Sequence, residues 1–390
     1  MAIASAIPAG GLGRPASRLG LRGRLVRLNW VLLALLSLIA AIGVATLYSV
    51  AEGSWSPYAS RHLVRFCLAL ALLVGVGITP LRFWLQLAYP AYFGALGLLM
   101  LVPVIGETNM GAERWIALGG FQLQPSELMK IALVMALARY YHGLDWGRVN
   151  HPVMLVPPLG MIAVPTGLVF LQPDLGTAIL TALTGLSVVV LAGLSWRWMV
   201  SGAILGFFGV VAAIQMSLIK PYQLERITAF RDPTIDPLGA NYHANQSKIA
   251  IGSGGVEGKG YMEGTQSQLG FLPEMHTDFI FTIFGEEFGL VGALGLLGLY
   301  FAVFLTATGI AVRVRSHFGR LLTMGVSLTF IMYVLINTGM VMGLAPVVGV
   351  PLPLVSYGGT VMIAVMGGFG LVMSAWVYRN QDTLRTATAF

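Results

Sequence analysis

Long apolar stretches alternate with short polar connections along this 390-residue chain. A membrane-spanning helix needs about 20 mainly apolar residues, and ten stretches come close to or exceed that length. They cover residues 29–49, 62–79, 83–105, 125–141, 153–171, 175–192, 198–217, 279–311, 321–344 and 356–378. The pattern therefore predicts an all-α polytopic membrane protein with about ten transmembrane helices.

One connection is much longer than the others. Residues 219–278, between the seventh and eighth predicted helices, contain no spanning stretch. Long connections in compact proteins usually carry function, and this loop with its rims holds more than half of the chain's 16 acidic residues. We therefore predict a single membrane domain over residues 29–378, with its chemistry in or beside this loop.

The basic residues predict the orientation of the helices. Residues 1–28 are rich in arginine, and together with the Lys and Arg residues near the ends of even-numbered helices they make up 14 of the 23 in the chain, against 8 on the other side. Because cytoplasmic connections carry an excess of these residues, we expect the segment 1–28 and the tail 379–390 to be cytoplasmic. The long loop 219–278 then lies on the extracytoplasmic side.

Composition excludes several classes of protein. With 56% apolar and 10% charged residues and a mean hydropathy of +0.80, the chain falls outside the range of soluble domains. The net charge of +7 does not indicate nucleic-acid binding, because the basic residues follow the predicted topology and form no soluble patch. A single cysteine, Cys67, excludes a disulfide framework. Histidines 243 and 276 are too few for a zinc site.

Four carboxylates lie in the segment FLPEMHTDFIFTIFGEE (271–287), at a predicted membrane boundary. Thr277 and Asp278 immediately precede an apolar stretch, which is the position of a helix N-cap. A partly desolvated carboxylate at that position is also a candidate general base, and both interpretations of Asp278 stay open. Glu286 and Glu287 lie about two turns further in, where a charge requires a partner or a water-filled cavity. We expect them to form ion pairs inside the bundle.

Two other charged motifs have structural interpretations. Glu127 and Lys130 are spaced i and i+3 on a predicted helix, so they can form an ion pair. The segment SKIAIGSGGVEGKGY (247–261) begins like a short amphipathic helix and becomes glycine-rich beside two lysines. It is either an anion-binding backbone segment or a flexible loop with solvated lysines. It is not a Walker A motif, because Gly260 stands where Ser or Thr would hold magnesium.

Four motifs, in this order along the chain, closely resemble the SEDS family (shape, elongation, division and sporulation). They are GAERWIALGGFQLQPSE (111–127), QPDLGTA (172–178), SKIAIGSGGVEGKGYMEGTQSQLGFLPEMHTDFIFTIFGEE (247–287) and PVVGVPLPLVSYGGT (346–360). The resemblance covers nearly all of the chain after residue 28. The forms GTQSQLGFLPE and VGVPLPLVSYGG are more typical of the branch that acts in cell elongation than of the division branch.

The resemblance implies a peptidoglycan glycosyltransferase of the bacterial cytoplasmic membrane. Such an enzyme polymerises lipid II into undecaprenyl-linked glycan at the outer face and works with a class B penicillin-binding protein. It carries an essential acid in the motif HTDFIF, here Asp278. We further predict that the following residues contact substrate or pyrophosphate: Lys248, Lys259, Arg226, Gln266, Gln268, Arg114, Asp174 and Ser356.

The expected reaction agrees with the residues of the loop. Undecaprenyl pyrophosphate is already a good leaving group, so the transfer needs one base and positive charge, whereas a glycosidase that expels an alcohol needs two carboxylates. Asp278 is the expected base, with inversion at the anomeric carbon. A divalent cation, Mg²⁺ or Mn²⁺, is a candidate cofactor.

Two other functions stay open from the sequence. A lipid II flippase is one, because charged residues inside ten predicted spans also suit a transporter. A transporter, however, places its polar groups near the middle of the bilayer, and this chain concentrates them in the outer loop. The other is a non-catalytic scaffold for a penicillin-binding protein, which would tolerate the loss of Asp278.

Overall fold

The computed structural model describes residues 20–109, 112–118, 121–216, 230, 242–265 and 275–381. Within these residues, ten long helices lie at the ten apolar stretches. They are α2 (Trp30–Val50), α3 (Tyr58–Ile78), α4 (Leu81–Ile105), α5 (Pro125–Gly143), α6 (Pro152–Leu171), α7 (Leu175–Leu191), α8 (Trp196–Gln215), α10 (Ile280–Arg313), α11 (His317–Val341) and α12 (Gly359–Val377). Shorter helices are α1 (Leu21–Val26), α9 (Tyr242–Gly254) and a 3-10 turn (Trp146–Arg148).

Seven helices in the described ranges are long and apolar enough to cross a membrane, namely α2, α3, α4, α6, α10, α11 and α12. Helix α7 is apolar but has only 17 residues. Helix α5 carries the charged residues Glu127 and Lys130 within its first two turns. The predicted class, a helical membrane protein, is therefore confirmed, whereas the number of ten spans stays a prediction.

A small antiparallel sheet joins α4 to α5, and the sequence analysis did not predict it. Strand β2 (Ala112–Leu118) pairs with β1 (Glu107–Asn109) on one side and with β3 (Phe121–Leu123) on the other. Two glycines separate β2 from β3 in the sequence, and such a pair between short strands is a hairpin signal. The sheet brings Arg114, on β2, towards the site described below.

Helices α11 and α12 form the centre of the bundle. In their most apolar windows, 67% of the residues of α11 and 83% of those of α12 are buried, against 22% for α10. Helix α12 packs along α3, and α11 contacts α5, α7 and α10. The first turns of α5, α7 and α10 therefore come together around the C-terminal end of α11.

Helix α10 is interrupted at Gly289, and the glycine-rich segment 254–260 fills the interruption. Gly289 has φ +63°, and a Cβ atom there would lie 2.3 Å from the amide nitrogen of Gly258. The amides of Lys259 and Gly260 donate to the carbonyls of residues 286 and 287, each at 3.1 Å, and Leu290 N donates to Gly255 O at 3.0 Å. These hydrogen bonds satisfy backbone groups that the break in the helix leaves unpaired, as is required inside a membrane. The amides of Lys259 and Gly260 are therefore not available for the anion-binding segment considered above.

Candidate active site

A cavity of about 790 Å³ lies where α5, α7, α11, strand β2 and the segment 347–361 meet. Five of the ionisable residues selected from the sequence line it. They are Asp278, Arg114, Asp174, Glu127 and Lys130. Uncharged and aromatic residues complete the wall, among them Tyr333, Gly349, Tyr357 and Gly358. Concave sites with a few convergent polar groups are the usual form of a small-molecule site.

Asp278 lies on a turn, residues 275–279, that is held by three hydrogen bonds to consecutive carbonyls. The amide of Tyr357 donates to His276 O at 2.8 Å, and the hydroxyl of Ser356 donates to Thr277 O at 2.6 Å. The side-chain amide of Asn337, on α11, donates to Asp278 O at 2.8 Å and to Val350 O at 2.7 Å. The backbone that carries the carboxylate is therefore fixed to two other parts of the chain.

The segment 346–358 also shapes the space around the carboxylate itself. Gly349 has φ +69°, a conformation that favours glycine, and a Cβ atom there would lie 3.3 Å from Asp278 Oδ2. Ser356, predicted to contact substrate, instead accepts a 2.8 Å hydrogen bond from Leu352 N and supports the turn. Its hydroxyl thus both accepts a hydrogen bond from and donates one to the backbone.

The N-cap interpretation of Thr277 and Asp278 is wrong. Helix α10 begins at Ile280, and Phe279 occupies the cap position without a side-chain cap hydrogen bond. The carboxylate of Asp278 lies two residues before the helix and lines the cavity. The hydrogen bonds described above hold the backbone of the turn that carries it.

Arg114 and Asp174 form the second charged group in the cavity wall. Arg114 Nη2 donates to Pro173 O at 2.6 Å, and its Nε lies 3.8 Å from Asp174 Oδ2. Asp174 is the N-cap of α7, since its Oδ1 accepts a 3.1 Å hydrogen bond from Thr177 N. This cap fixes the carboxylate, and the carboxylate in turn holds the arginine at the cavity.

Glu127 and Lys130 form an ion pair with 2.7 Å between Lys130 Nζ and Glu127 Oε1. The two side chains are only 3% and 1% exposed. Tyr333 on α11 donates its hydroxyl to Glu127 Oε2, and Lys130 Nζ lies 4.6 Å from the centre of the Tyr333 ring. The sequence predicted a structural pair, and the structure adds that this pair lines the same cavity as Asp278.

Lys259, Glu286 and Glu287 lie away from the cavity lining. Lys259 Nζ is 2.7 Å from Glu286 Oε1 and 2.7 Å from Thr265 Oγ1. Glu286 therefore has the expected ion pair, whereas Glu287 accepts a hydrogen bond from the hydroxyl of Ser49. Lys259 is thus paired with a carboxylate and lies outside the cavity lining, and its contact with pyrophosphate stays a prediction.

The remaining predicted contacts divide into two groups. Lys248 on α9 is exposed, and its aliphatic chain packs against Gly343. It does not line the cavity. Arg226, Gln266 and Gln268 lie outside the described residues. Sequence reasoning also missed Asn337, Gly349, Tyr333 and Tyr357, which position or line the site.

The model of the cell cycle protein family that comprises FtsW, RodA and SpoVE matches residues 23–381. The chain belongs to this family. The resemblance to the SEDS family found in the sequence motifs is thereby confirmed.

The chain is similar in sequence to named relatives over nearly its whole length. Peptidoglycan glycosyltransferase MrdB of Escherichia coli K12 is 42% identical over 363 residues, which cover 91% of this chain and 95% of that protein. The probable peptidoglycan glycosyltransferase FtsW of Trichlorobacter lovleyi is 33% identical over 368 residues, covering 90% of this chain and 93% of that protein. The higher identity to MrdB agrees with the assignment to the elongation branch.

Solved structures share the fold. A peptidoglycan synthase complex that coordinates polymerization and crosslinking contains a chain that matches with a TM-score of 0.79 and 33% identity, covering 91% of this chain and 99% of that chain. The rod shape determining protein RodA of Thermus thermophilus matches with a TM-score of 0.68 and 31% identity, covering 91% and 98%. The long apolar helices therefore form the same bundle in these proteins.

Proposed function

We propose that this chain is a peptidoglycan glycosyltransferase that polymerises lipid II into glycan strands during cell elongation and releases undecaprenyl pyrophosphate. The relatives named for this activity are similar over 90% or more of the chain. The observation that carries the mechanism is the position of Asp278, a carboxylate in a large polar cavity on a turn fixed by three hydrogen bonds.

Asp278 acts as the general base. Its carboxylate accepts the proton of the acceptor sugar's hydroxyl as that oxygen attacks the anomeric carbon of the donor. The new glycosidic bond forms on one face of the carbon while the bond to the diphosphate breaks on the other, so the configuration inverts. The diphosphate leaves with its electron pair and needs no proton, so a single carboxylate is sufficient.

The fixed turn explains how a single carboxylate is effective. A catalytic group held in place for attack avoids the entropy loss of finding that geometry in every cycle, whereas a misplacement of about 1 Å costs about 100-fold in rate. Asn337, Ser356 and Tyr357 restrict the backbone on both sides of Asp278. Gly349 leaves room beside the carboxylate for the acceptor hydroxyl.

The cations in the cavity wall are already engaged with carboxylates. Arg114 lies beside Asp174 and Lys130 is paired with Glu127. Together with Asp278, the wall of the cavity therefore holds three carboxylates against these two cations among the described residues. A diphosphate in such a cavity requires further positive charge.

A divalent cation is one source of that charge, and the carboxylates suit it. The described ranges hold no group of three or more His, Cys, Asp and Glu residues able to bind a metal. Mg²⁺, however, usually binds through one or two carboxylates together with substrate phosphates, and Asp174 is the carboxylate of the cavity wall that would contribute. When bound with substrate, the ion would neutralise the diphosphate.

We also propose the cellular setting. The chain lies in the cytoplasmic membrane with both termini in the cytoplasm and the cavity open to the outer face, because the basic residues follow that orientation. Its partner is a class B penicillin-binding protein of the elongation machinery. This proposal is supported by the similarity to a chain of a synthase complex that couples polymerization to crosslinking.

The test uses full-length protein with its partner in lipid vesicles, labelled lipid II, and the variants Asp278→Ala and Asp145→Asn. Asp145 is exposed and follows α5, so it controls for the loss of a carboxylate. Glycan strands from the wild type and Asp145→Asn, but not from a folded Asp278→Ala, support the polymerase. Movement of lipid II across the bilayer without polymer would identify a flippase instead, and neither movement nor polymer would indicate a scaffold. Equal polymer from all variants would contradict the role of Asp278.

A further inference from the structure

Arg65 occupies an unusual position on α3. It lies seven residues after the first residue of the helix, Tyr58, which is about 10 Å along the axis. Its side chain is partly buried inside a helix that is long and apolar enough to span a membrane. Charged side chains at such positions are costly, and they usually have a partner or mark a path for an ion or substrate.

The neighbours of the Arg65 guanidinium are a ring and a glycine. Its central carbon lies 4.6 Å from the centre of the Tyr357 ring. A Cβ atom at Gly359 would lie 3.2 Å from Arg65 Nε and 3.3 Å from its Cζ, so the guanidinium rests directly on that backbone. A cation over an aromatic ring gains attraction, but the ring accepts no conventional hydrogen bond in the plane of the guanidinium.

Arg65 has no carboxylate partner in the part of the chain that the structure describes. The ion pairs there join Arg114 to Asp174, and the lysines at 130 and 259 to glutamates. None of them includes Arg65. A guanidinium presents five N–H donors in a planar fork that matches carboxylate and phosphate oxygens. These donors are therefore available to an anion that does not belong to the described protein.

Arg65 also lies at the edge of the cavity. Tyr357, which it covers, lines the cavity together with Gly358 and Val361. The amide of Tyr357 is bonded to the turn that carries Asp278. Arg65 therefore contacts the segment 346–358, and two hydrogen bonds, from Tyr357 N and Ser356 Oγ, join that segment to the turn of Asp278.

We propose that Arg65 binds the diphosphate of the polyprenyl-linked sugar at the edge of the cavity. The cavity wall alone has an excess of negative charge, as described above, and Arg65 supplies a cation that no carboxylate of the described ranges neutralises. A bidentate contact with phosphate oxygens is the geometry for which arginine is suited. This inference rests on the proposed function, because that function makes a lipid-linked diphosphate the substrate.

The test measures binding and turnover separately. Full-length protein in lipid nanodiscs is titrated with undecaprenyl pyrophosphate and, in a second series, with inorganic pyrophosphate. The variants are Arg65→Gln, Arg65→Lys and Arg82→Gln. Arg82 is an exposed arginine in the first turn of α4, so its variant controls for the loss of one positive charge. Thermal unfolding of each variant establishes that it is folded.

We expect Arg65→Gln to weaken binding of undecaprenyl pyrophosphate by about tenfold or more, as the loss of a charge-assisted contact does. Arg65→Lys should keep part of the affinity, because it keeps the charge but not the fork, and Arg82→Gln should bind like the wild type. A parallel loss with inorganic pyrophosphate means that the diphosphate itself is recognised. A loss confined to the lipid-linked form means that the site accepts only the membrane-bound ligand.

The inference is overturned if folded Arg65→Gln binds both ligands with the affinity of the wild type. The side chain of Arg65 would then only extend towards the lipid headgroups. The proposed function has a separate readout. Asp278→Ala should abolish polymer but keep binding of undecaprenyl pyrophosphate. If it keeps polymer while Arg65→Gln loses affinity, the catalytic assignment fails and the diphosphate site stands.

Discussion

Replacing Asn337 by alanine removes the side chain that ties the turn of Asp278 to the segment 346–358. Asn337 is fully buried, and its amide donates to Asp278 O at 2.8 Å and to Val350 O at 2.7 Å. Each such bond contributes about 1 kcal/mol net, and more when a buried carbonyl is left without a partner. The two together therefore amount to about 2–3 kcal/mol.

We expect most of that free energy to be lost from the stabilisation of the transition state, so that kcat falls. The side chain is not among the residues that line the cavity, so we expect its loss to let Asp278 leave its productive position without removing a contact to lipid II. Because each 1.36 kcal/mol corresponds to tenfold in rate, kcat should fall by about 30- to 150-fold. KM should change by no more than about threefold, since binding energy is largely kept.

The assay is steady-state polymerisation of labelled lipid II by purified protein with its partner, together with thermal unfolding. Thr338→Val is the matched control, because Thr338 is the next residue, is also buried, and bonds only within its own helix. It should lose some stability but keep kcat. A wild-type kcat for a folded Asn337→Ala variant would refute the view that these bonds position Asp278.

Two further predictions concern stability. Lys130→Met leaves Glu127 buried without its ion-pair partner, so it should lower the thermal unfolding temperature strongly, as expected from the loss of about 3–5 kcal/mol when one member of a buried pair is removed. Adding Glu127→Gln should restore part of that stability. If the destabilising effects of the two substitutions simply add in the double variant, the two residues are not coupled. Gly289→Ala places a Cβ atom 2.3 Å from the Gly258 amide at a φ of +63°, so little folded protein should be obtained, whereas Gly298→Ala, at an open position of the same helix, should fold normally.

The positions of the long helices could be predicted from sequence because a membrane imposes both a length and an apolar composition on each segment. The sheet between α4 and α5 could have been predicted in part, since the glycine pair at 119–120 separates two short stretches with strand-like composition. The break at Gly289 could not, because glycines recur along this helix and the sequence does not distinguish Gly289 from the others. It depends on the segment 254–260 fitting into the gap.

The set of residues around the cavity could be predicted only in part. The spacing of Glu127 and Lys130 indicates a pair, but only the packing of α5 against α11 and α7 brings that pair to the cavity of Asp278. Lys259 looked available for a diphosphate, yet folding places it on Glu286. Arg65 gave a usable signal, because it is a charge inside an apolar helix. The sequence analysis did not select it as a site residue.

The central claim is that Asp278 is the base of a glycosyl transfer. The most direct measurement compares Asp278→Asn with the wild type in two assays on the same purified complex, polymerisation of lipid II and binding of lipid II. The substitution keeps the shape of the side chain and removes its ability to accept a proton. We expect binding close to that of the wild type and polymerisation lower by about 100-fold or more, as for the loss of a general base. Polymerisation at the wild-type rate by the folded variant would contradict the mechanism.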